Sequence, residues 1–177
     1  MTAFLAEITP DHILDLSDYE AVRKDRKSAI VAAKRDRRLA IGPDATIYFE
    51  NRETMWLQIQ EMLRIEKGGA AQLADELAAY NPMVPKGRNL SATFMIEIDD
   101  ERRRDRVLGE VGHIDQTISI KFVGEKVFAR ADDDTERTDE DGKASSVHFL
   151  LFDFSDDQVE KFRATSDDIV ISIGQEN

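Results

Sequence analysis

Apolar residues in the first half of the chain recur at intervals of three and four, the spacing of a helix that buries one face. The spacing predicts a short helix from Thr9 to about Leu16, followed by a long helix with a Ser17 cap that ends at Gly42-Pro43. Two further helices are predicted at 52–67 and 70–80. The apolar stripe of the long helix consists of Tyr19, Val22, Ala29, Ile30, Ala33 and Ala40.

Apolar and polar residues alternate in the second half of the chain, as they do in a strand with one buried face. The alternation predicts strands at 90–98, 117–123 and 169–173. Residues 145–154 are apolar on both faces, which is typical of a strand in the middle of a sheet. The remaining predicted elements are a strand at 45–50 before an Asn51 cap, a Gly124-Glu125 hairpin turn that leads into a strand at 127–130, and helices at 99–111 and 156–163.

The order of these elements predicts the fold class. Helices come first and strands follow, joined by hairpins, which favours an α+β fold over a doubly wound parallel sheet. We expect a mainly antiparallel sheet of five or six strands, with the N-terminal helices packed on one face. The chain of 177 residues is predicted to be a single domain, 1–177. Residues 132–143 are predicted to be a mobile loop, because Asp132–Asp141 holds seven acids and one Arg.

The amino-acid composition excludes several kinds of chemical site and of binding partner. The chain has no Cys, which excludes disulfide scaffolds, cysteine nucleophiles and thiolate metal sites. Its net charge of −12 argues against nucleic acid or an anionic membrane as a partner of the whole surface. The N-terminus lacks a basic leader, and no uncharged apolar run reaches the roughly 18 residues that span a bilayer. A cytoplasmic protein that does not enter the membrane is therefore predicted.

Several phrases together resemble a known family. They are Phe49-Glu50-Asn51-Arg52-Glu53-Thr54, the run from Gln58 to Arg64, Tyr80-Asn81, Leu90-Ser91-Ala92-Thr93 and Ser146-Val147-His148. From about Thr9 to about Arg163, the chain resembles the bacterial domain-of-unknown-function family 3501, which has no established activity or ligand. The resemblance implies a genomic setting in which relatives are often encoded beside rubrerythrin-like and iron–sulfur proteins. The resemblance therefore implies protein partners in redox or oxidative-stress physiology.

Polar side chains concentrate on the helix predicted from Arg52. Helical spacing places Glu53, Gln60 and Arg64 in one row, with a second polar row beside it. Amides and a cation favour recognition through hydrogen bonds over proton transfer. The alternative is an ordinary amphipathic helix whose polar side meets water. The predicted binding residues are Gln58, Gln60, Glu61, Arg64, Tyr80 and Asn81.

His148 is the one imidazole within an apolar strand. It is either a core residue with a hydrogen-bond partner or a catalytic base with carboxylates from neighbouring elements. The candidate carboxylates are Glu50, Glu53 and Glu97. If His148 and two carboxylates converge in a pocket, an enzyme is favoured; if apolar side chains cover His148, the enzyme hypothesis fails.

Neither a metal nor a cofactor is predicted. The Glu-x-x-His spacing of di-iron bundles occurs once, at Glu110 and His113, and Gly112 interrupts it. The basic residues of the long helix are either a footprint for phosphate or nucleic acid or a solvated face. Aromatic residues for base stacking are not interleaved with them, which disfavours nucleic acid. These basic residues are Lys24, Lys27, Lys34, Arg35 and Arg38.

These observations favour a non-catalytic binding or assembly module, with a protein partner and a homodimer as expected associations. The first alternative is a small enzyme or metal-dependent protein that uses a site of His148 and carboxylates. The second alternative is phosphate or nucleic-acid binding through the basic helix.

Overall fold

A computed structural model describes residues 7–131 and 144–174 of the chain. Within them, the helices are α1 (Leu16–Arg35), α2 (Arg52–Glu66), α3 (Gly69–Tyr80), α4 (Glu101–Glu110) and α5 (Asp156–Ala164). The strands are β1 (Arg38–Ile41), β2 (Ala45–Phe49), β3 (Asn89–Ile96), β4 (Ser119–Phe122), β5 (Glu125–Phe128), β6 (Arg130–Ala131), β7 (Val147–Asp153) and β8 (Val170–Ser172). The acidic loop predicted at 132–143 lies outside the described residues.

Contacts between residues within the chain divide the described residues into two compact units. We call residues 7–38 and 48–87 the helical unit, because they contain α1, α2 and α3. Residues 39–47, 88–131 and 144–174 form the sheet unit, which contains most of the strands and also α4 and α5. The single domain predicted for 1–177 stays a prediction.

The start of the helical unit differs from the predicted helices. Pro10–His12 is one 3₁₀ turn rather than a helix to Leu16. The cap of α1 is Asp15, not Ser17, because the Asp15 carboxylate accepts the Asp18 N–H at 2.9 Å. The Ser17 hydroxyl donates to the same carboxylate at 2.9 Å, so it supports the cap instead of forming it.

The end of α1 also differs from the prediction. The helix stops at Arg35, and Arg38–Ile41 forms β1, an edge strand next to β2. Pairing with β2 outweighs the helical spacing that continues to Ala40. Of the predicted apolar stripe, only Tyr19 and Ile30 are buried, at 0 % and 7 % exposure.

The elements after α1 follow the sequence closely. The Asn51 side chain accepts the Thr54 N–H at 2.9 Å and caps α2, as predicted. Lys67 adopts a left-handed conformation that ends α2, directly before the two glycines predicted to stop it. Ser155 caps α5 in the predicted capping box with Gln158.

The sheet unit confirms the α+β class with antiparallel sheets. One sheet has five strands in the order β1-β2-β3-β7-β6, and β7 is an interior strand, as predicted. A second sheet has the order β5-β4-β8, with both pairs antiparallel. The strands predicted at 117–123 and 169–173 therefore belong to a separate three-stranded sheet.

The hairpin between β4 and β5 turns at Val123-Gly124, one residue earlier than predicted. Phe122 pairs with Glu125, so Glu125 is already part of β5. Val123 and Gly124 have φ values of 46° and 74°, the left-handed pair that a type I′ turn requires.

The cores of the two units differ in composition. The helical unit buries few large apolar side chains, among them Tyr19, Trp56, Ile59 and Met83. In the sheet unit, Phe122 of β4, Phe154 and Phe162 of α5 form a cluster with ring centroids 5.1–5.7 Å apart. Among the residues described, no helix has the length and apolar character that crossing a bilayer needs.

Candidate functional site

Glu61, one of the predicted binding residues, is the centre of a polar cluster between α2 and α1. Its carboxylate accepts hydrogen bonds from the Tyr19 hydroxyl at 2.6 Å and from the Arg23 guanidinium at 2.7 and 2.9 Å. Lys27 Nζ lies 3.3 Å away. We call these four residues the Glu61 cluster. Because three donors from α1 already converge on the carboxylate, its first role is to join the two helices.

The electrostatics of the Glu61 cluster follow from this geometry. The hydrogen bond from Arg23 is the largest cause that lowers the pKa of Glu61, to about 2, with further contributions from Tyr19 and Lys27. Burial and the Glu61 carboxylate raise the pKa of Tyr19 well above its ordinary value. At neutral pH, the carboxylate is therefore charged and the phenol is neutral.

Arg64 and Asn81 are also engaged within the helical unit. Arg64 Nε donates to Glu20 Oε1 at 2.5 Å, a second link between α2 and α1. The Asn81 amide accepts the Ile8 N–H at 2.8 Å and donates to the Ile8 carbonyl at 2.9 Å. Asn81 thus fixes the segment before the first turn in the way that a neighbouring strand would.

The two predicted glutamines occupy different environments. Gln58 is exposed, and its Nε2 lies 3.4 Å from the Tyr80 hydroxyl, so the structure brings these two predicted residues together. Gln60 is 2 % exposed, and its Nε2 has no hydrogen-bond partner among the residues that the structure describes. A buried amide donor without a partner costs free energy, about 1–3 kcal/mol.

His148 lies on β7, opposite Phe94 of β3, and its side chain is fully buried. Its Nε2 lies 2.7 Å from the Ser145 carbonyl oxygen, which requires that Nε2 carries the proton and donates. Asp115, 5 % exposed, places Oδ1 3.8 Å from His148 Nδ1. The imidazole and this carboxylate are therefore neighbours in the interior of the sheet unit, where solvent does not reach them.

The carboxylates predicted for His148 have other neighbours. Glu50 is buried in the helical unit, with Lys34 Nζ at 3.7 Å, and Glu53 lies 3.7 Å from Arg52 of its own helix. Glu97 accepts the Thr46 hydroxyl at 2.7 Å. Within residues 7–131 and 144–174, no three His, Asp or Glu side chains come together in a way that could hold a metal ion.

The predicted basic residues divide into two groups. Lys27 and Lys34 face carboxylates of their own unit, and Lys34 and Arg38 lie 5.8 and 5.7 Å from the Tyr48 ring centroid. Lys24 and Arg35 are exposed and point away from Tyr19 and Ile30, because they occupy the opposite side of α1. Lys27 and Lys34 therefore have acidic partners within the unit, whereas Lys24 and Arg35 are solvent-exposed.

The three-stranded sheet has one covered face and one open face. Ile118, Ile120 and Val127 are each at most 6 % exposed on the covered face. The strand register places Phe128 opposite Ser119, and Lys121 opposite both Lys126 and Val170. Phe128 and Val170 are 54 % and 49 % exposed. We call the other side of the sheet the open face, where Lys121, Lys126, Phe128, Val170 and Ser172 are exposed or half-buried. Ser119 lies on the same side but is only 1 % exposed.

Charge and apolar surface lie side by side on the open face. Lys126 Nζ is 4.4 Å from the centroid of the Phe128 ring, a cation–π contact. Lys121 and Lys126 are direct cross-strand partners, and like charges in such positions destabilise a sheet. The arrangement can bind an acidic group beside an apolar one.

Sequence reasoning missed the open face and Asp115. Val127 and Phe128 are adjacent apolar residues, so in a strand they face opposite sides of the sheet, and a sheet covered on one side only would leave one of them exposed. Asp115 lies in a 3₁₀ turn, Ile114–Thr117, that has no periodic pattern. Nothing in the sequence places it beside a strand 33 residues away along the chain.

Comparisons with known proteins give the relationships of the chain but not an activity. A family model described as a protein of unknown function, DUF3501, matches residues 7–177. A crystal structure of a protein of unknown function from Burkholderia pseudomallei is similar over 97 % of this chain and 88 % of that one. It has 36 % sequence identity and a TM-score of 0.85. No curated protein matches the chain.

Proposed function

Because the chain belongs to the DUF3501 family, described as proteins of unknown function, we propose its role from its own residues: it is a non-catalytic binding or assembly module. The observation that carries the proposal is the open face, where exposed Phe128 and Val170 adjoin Lys121 and Lys126. Exposed apolar side chains rimmed by polar ones mark interaction surfaces. The partner that fits is a protein segment with acidic and apolar side chains.

Charge and aromatic character together support this partner class. Lys121 and Lys126 are cross-strand neighbours, so two positive charges lie beside the exposed apolar side chains, and acidic groups of a partner are attracted to them. The ring of Phe128 is a large apolar anchor of the type enriched in interface centres. The proposal includes a cytoplasmic location and, as the resemblance implies, redox or iron–sulfur proteins as the partner class.

The burial of His148 supports binding over catalysis. The imidazole is 0 % exposed and its Nε2 is engaged with the Ser145 carbonyl, so a dissolved substrate cannot reach it in this conformation. Its neighbours are Phe94, with ring centroids 5.9 Å apart, and one carboxylate. These contacts are those of a core histidine.

The test measures binding of a defined probe, a fluorescent peptide in which Asp or Glu alternates with Leu or Phe. We expect fluorescence anisotropy to detect binding that Lys126→Glu and Phe128→Ser each weaken by about tenfold, as removal of an interface anchor or charge does. Two matched controls are expected to bind like the wild type. They are Arg102→Glu, an exposed cation of α4, and Ile65→Ser, which is 65 % exposed on α2.

Two outcomes would contradict the proposal. One is equal binding by all variants, and the other is equal binding of a peptide in which Lys replaces every acid. Affinity capture from the native cell, compared between wild type, Lys126→Glu and Arg102→Glu, then names the partner. Only proteins lost with Lys126→Glu and retained with Arg102→Glu count, and redox proteins among them would support the partner class.

A further inference from the structure

Residues 7–12, which precede the cap of α1, are held on the helical unit by hydrogen bonds from two distant side chains. We call these residues the Ile8 segment. The Asn81 amide binds both backbone groups of Ile8, and the Trp56 Nε1–H donates to the His12 carbonyl at 2.8 Å. The Ile8 side chain is 2 % exposed, whereas the other residues of the segment are exposed. These bonds therefore keep one apolar anchor buried within an otherwise solvent-exposed segment.

The imidazole of His12 holds the same segment from within. His12 Nδ1 lies 3.0 Å from the Thr9 backbone nitrogen and 2.9 Å from the Thr9 hydroxyl oxygen. A backbone N–H can only donate, so Nδ1 carries no proton and accepts this hydrogen bond. The Thr9 N–H and the Ile8 carbonyl belong to one peptide group. Asn81 therefore holds this peptide group at its oxygen, and His12 holds it at its nitrogen.

We propose that His12 is a pH sensor, which keeps the Ile8 segment in place at neutral pH and loosens it in acid. Histidine is the side chain whose charge ordinarily changes between about pH 5 and 8. A proton on His12 Nδ1 would face the Thr9 N–H across 3.0 Å, and two donors cannot bind each other. The Thr9 hydroxyl can accept from the protonated Nδ1 instead of donating to it. Protonation therefore removes one hydrogen bond, the one to the Thr9 N–H.

The direction of the pH effect follows from proton binding. The closed segment requires an Nδ1 without a proton, whereas an opened segment leaves Nδ1 of His12 free to bind one. Opening is therefore coupled to proton uptake and becomes more favourable as the pH falls. The opened segment uncovers the Ile8 side chain and releases the hydrogen bond from Trp56. This regulation lies in the helical unit and does not depend on the open face.

The charged groups around His12 do not change in the same pH range. In the described part of the chain, the imidazole makes its hydrogen bonds to Thr9, which does not ionise. Carboxylate, ammonium and guanidinium groups ordinarily keep their charge between about pH 5 and 8. His12 is therefore the group of this segment and its contacts that changes charge there. The other charged residues of the segment and its contacts are Glu7, Asp11, Asp15 of the α1 cap, Lys86 beside Glu7, and Arg26 over the Trp56 ring.

Hydrogen exchange of the Ile8 N–H, measured by NMR on the full chain, tests the proposal, because this group donates to Asn81 only in the closed segment. After correction for the pH dependence of exchange itself, we expect its protection to fall by about fivefold between neutral and acidic pH, as the loss of one hydrogen bond implies. His12→Gln keeps an acceptor for the Thr9 N–H but does not ionise, so its protection should not depend on pH. The matched control His113→Gln changes an exposed histidine of the sheet unit and should behave like the wild type.

The protonation state of the imidazole gives a second, independent measurement. Nitrogen-15 shifts of the His12 ring at neutral pH should show the proton on Nε2 and none on Nδ1, and the Ile8 protection should fall over the same pH range in which Nδ1 becomes protonated. A proton on Nδ1 at neutral pH would overturn the proposal. So would an Ile8 protection that is independent of pH in the wild type, or one that falls in acid by the same factor in His12→Gln.

Discussion

In the helical unit, charged side chains join the long α1 to α2; in the sheet unit, phenylalanines join the three-stranded sheet to α5. The Glu61 cluster gathers Tyr19, Arg23 and Lys27 on one carboxylate. The phenylalanine cluster of the sheet unit contains no titratable group. The free energy that holds the first contact depends on pH and salt, whereas the second depends on buried apolar area.

The two units also differ in which residues they leave exposed to solvent. α1 buries only Tyr19 and Ile30, so charged contacts to α2 hold one side of the helix while the other side stays open. The three-stranded sheet buries Ile118, Ile120 and Val127 on one face and leaves Phe128 and Val170 outward on the other. Each unit therefore leaves residues exposed opposite a buried side, and in the three-stranded sheet these residues combine apolar side chains with lysines.

The largest effect is expected from the apolar core of the sheet unit. Phe152 of β7 is fully buried, so Phe152→Ala should lower the free energy of unfolding by about 3–5 kcal/mol. The matched control Phe128→Ala removes the same ring from an exposed position and should change stability by less than about 0.5 kcal/mol. Urea unfolding followed by circular dichroism measures both. Equal losses in the two variants would show that Phe128 is as well packed as Phe152.

The Glu61 cluster gives the next largest effect. Glu61→Gln preserves volume but removes the charge that pairs with Arg23 and Lys27, and should lower the free energy of unfolding by about 2 kcal/mol at pH 7. Trp56, the only tryptophan, lies 5.9 Å from the Tyr19 ring, so its fluorescence reports unfolding of this unit.

The stabilisation that Glu61 contributes depends on pH, and the lowered pKa of Glu61 gives the direction of this dependence. The pKa of Glu61 is about 2 in the folded unit, below its ordinary value of 4.5. The stabilisation is therefore complete above pH 4.5 and is lost as the pH falls through about 2. The difference between wild type and Glu61→Gln should shrink over this range. A difference that is constant from neutral pH to pH 2 would mean that the charge does not hold α1 to α2.

Much of the fold was predictable where the signal is local. The caps at Asn51 and Ser155 and the interior position of β7 follow from side chains within a few residues of each other. The strand β1 was not predictable, because Arg38–Ile41 continues the helical spacing and only pairing with β2 makes it a strand. In short, long-range pairing decided the elements that sequence spacing left open.

The candidate sites show the same division. Helical spacing correctly put Glu61 and Arg64 among the polar residues of α2, but their partners lie 34–44 residues earlier in the chain. Periodicity carries no information on such partners. The sequence left two interpretations of His148 open, and its burial became known only from the register with Phe94 and the position of Asp115.

The substitution of Gln60 tests whether its buried side-chain amide lowers the stability of the helical unit. Gln60→Met keeps the length of the side chain and removes a buried amide whose Nε2 has no partner among the described residues. We expect the free energy of unfolding to rise by about 1 kcal/mol, because the cost of the buried donor disappears. Gln58→Met, at an exposed position of the same helix, is the control and should be nearly neutral. Destabilisation by Gln60→Met would show that the amide is satisfied in solution.

The smallest change in the free energy of unfolding is expected at the β4–β5 hairpin. There the backbone conformation determines the effect, and neither charge nor buried apolar area changes much. Val123 has a φ of 46°, a region that a β-branched residue adopts only at a cost, whereas Asn adopts it readily. Val123→Asn should therefore raise the free energy of unfolding by about 0.5–1 kcal/mol, since an Asn-Gly turn suits the type I′ geometry. Val123→Ala removes the branching but keeps the unfavourable left-handed conformation, so its gain should be smaller. Urea unfolding ranks the wild type and the two variants by their free energy of unfolding. If Val123→Asn is less stable than the wild type, the half-exposed Val123 side chain stabilises the sheet unit more than its backbone conformation destabilises it.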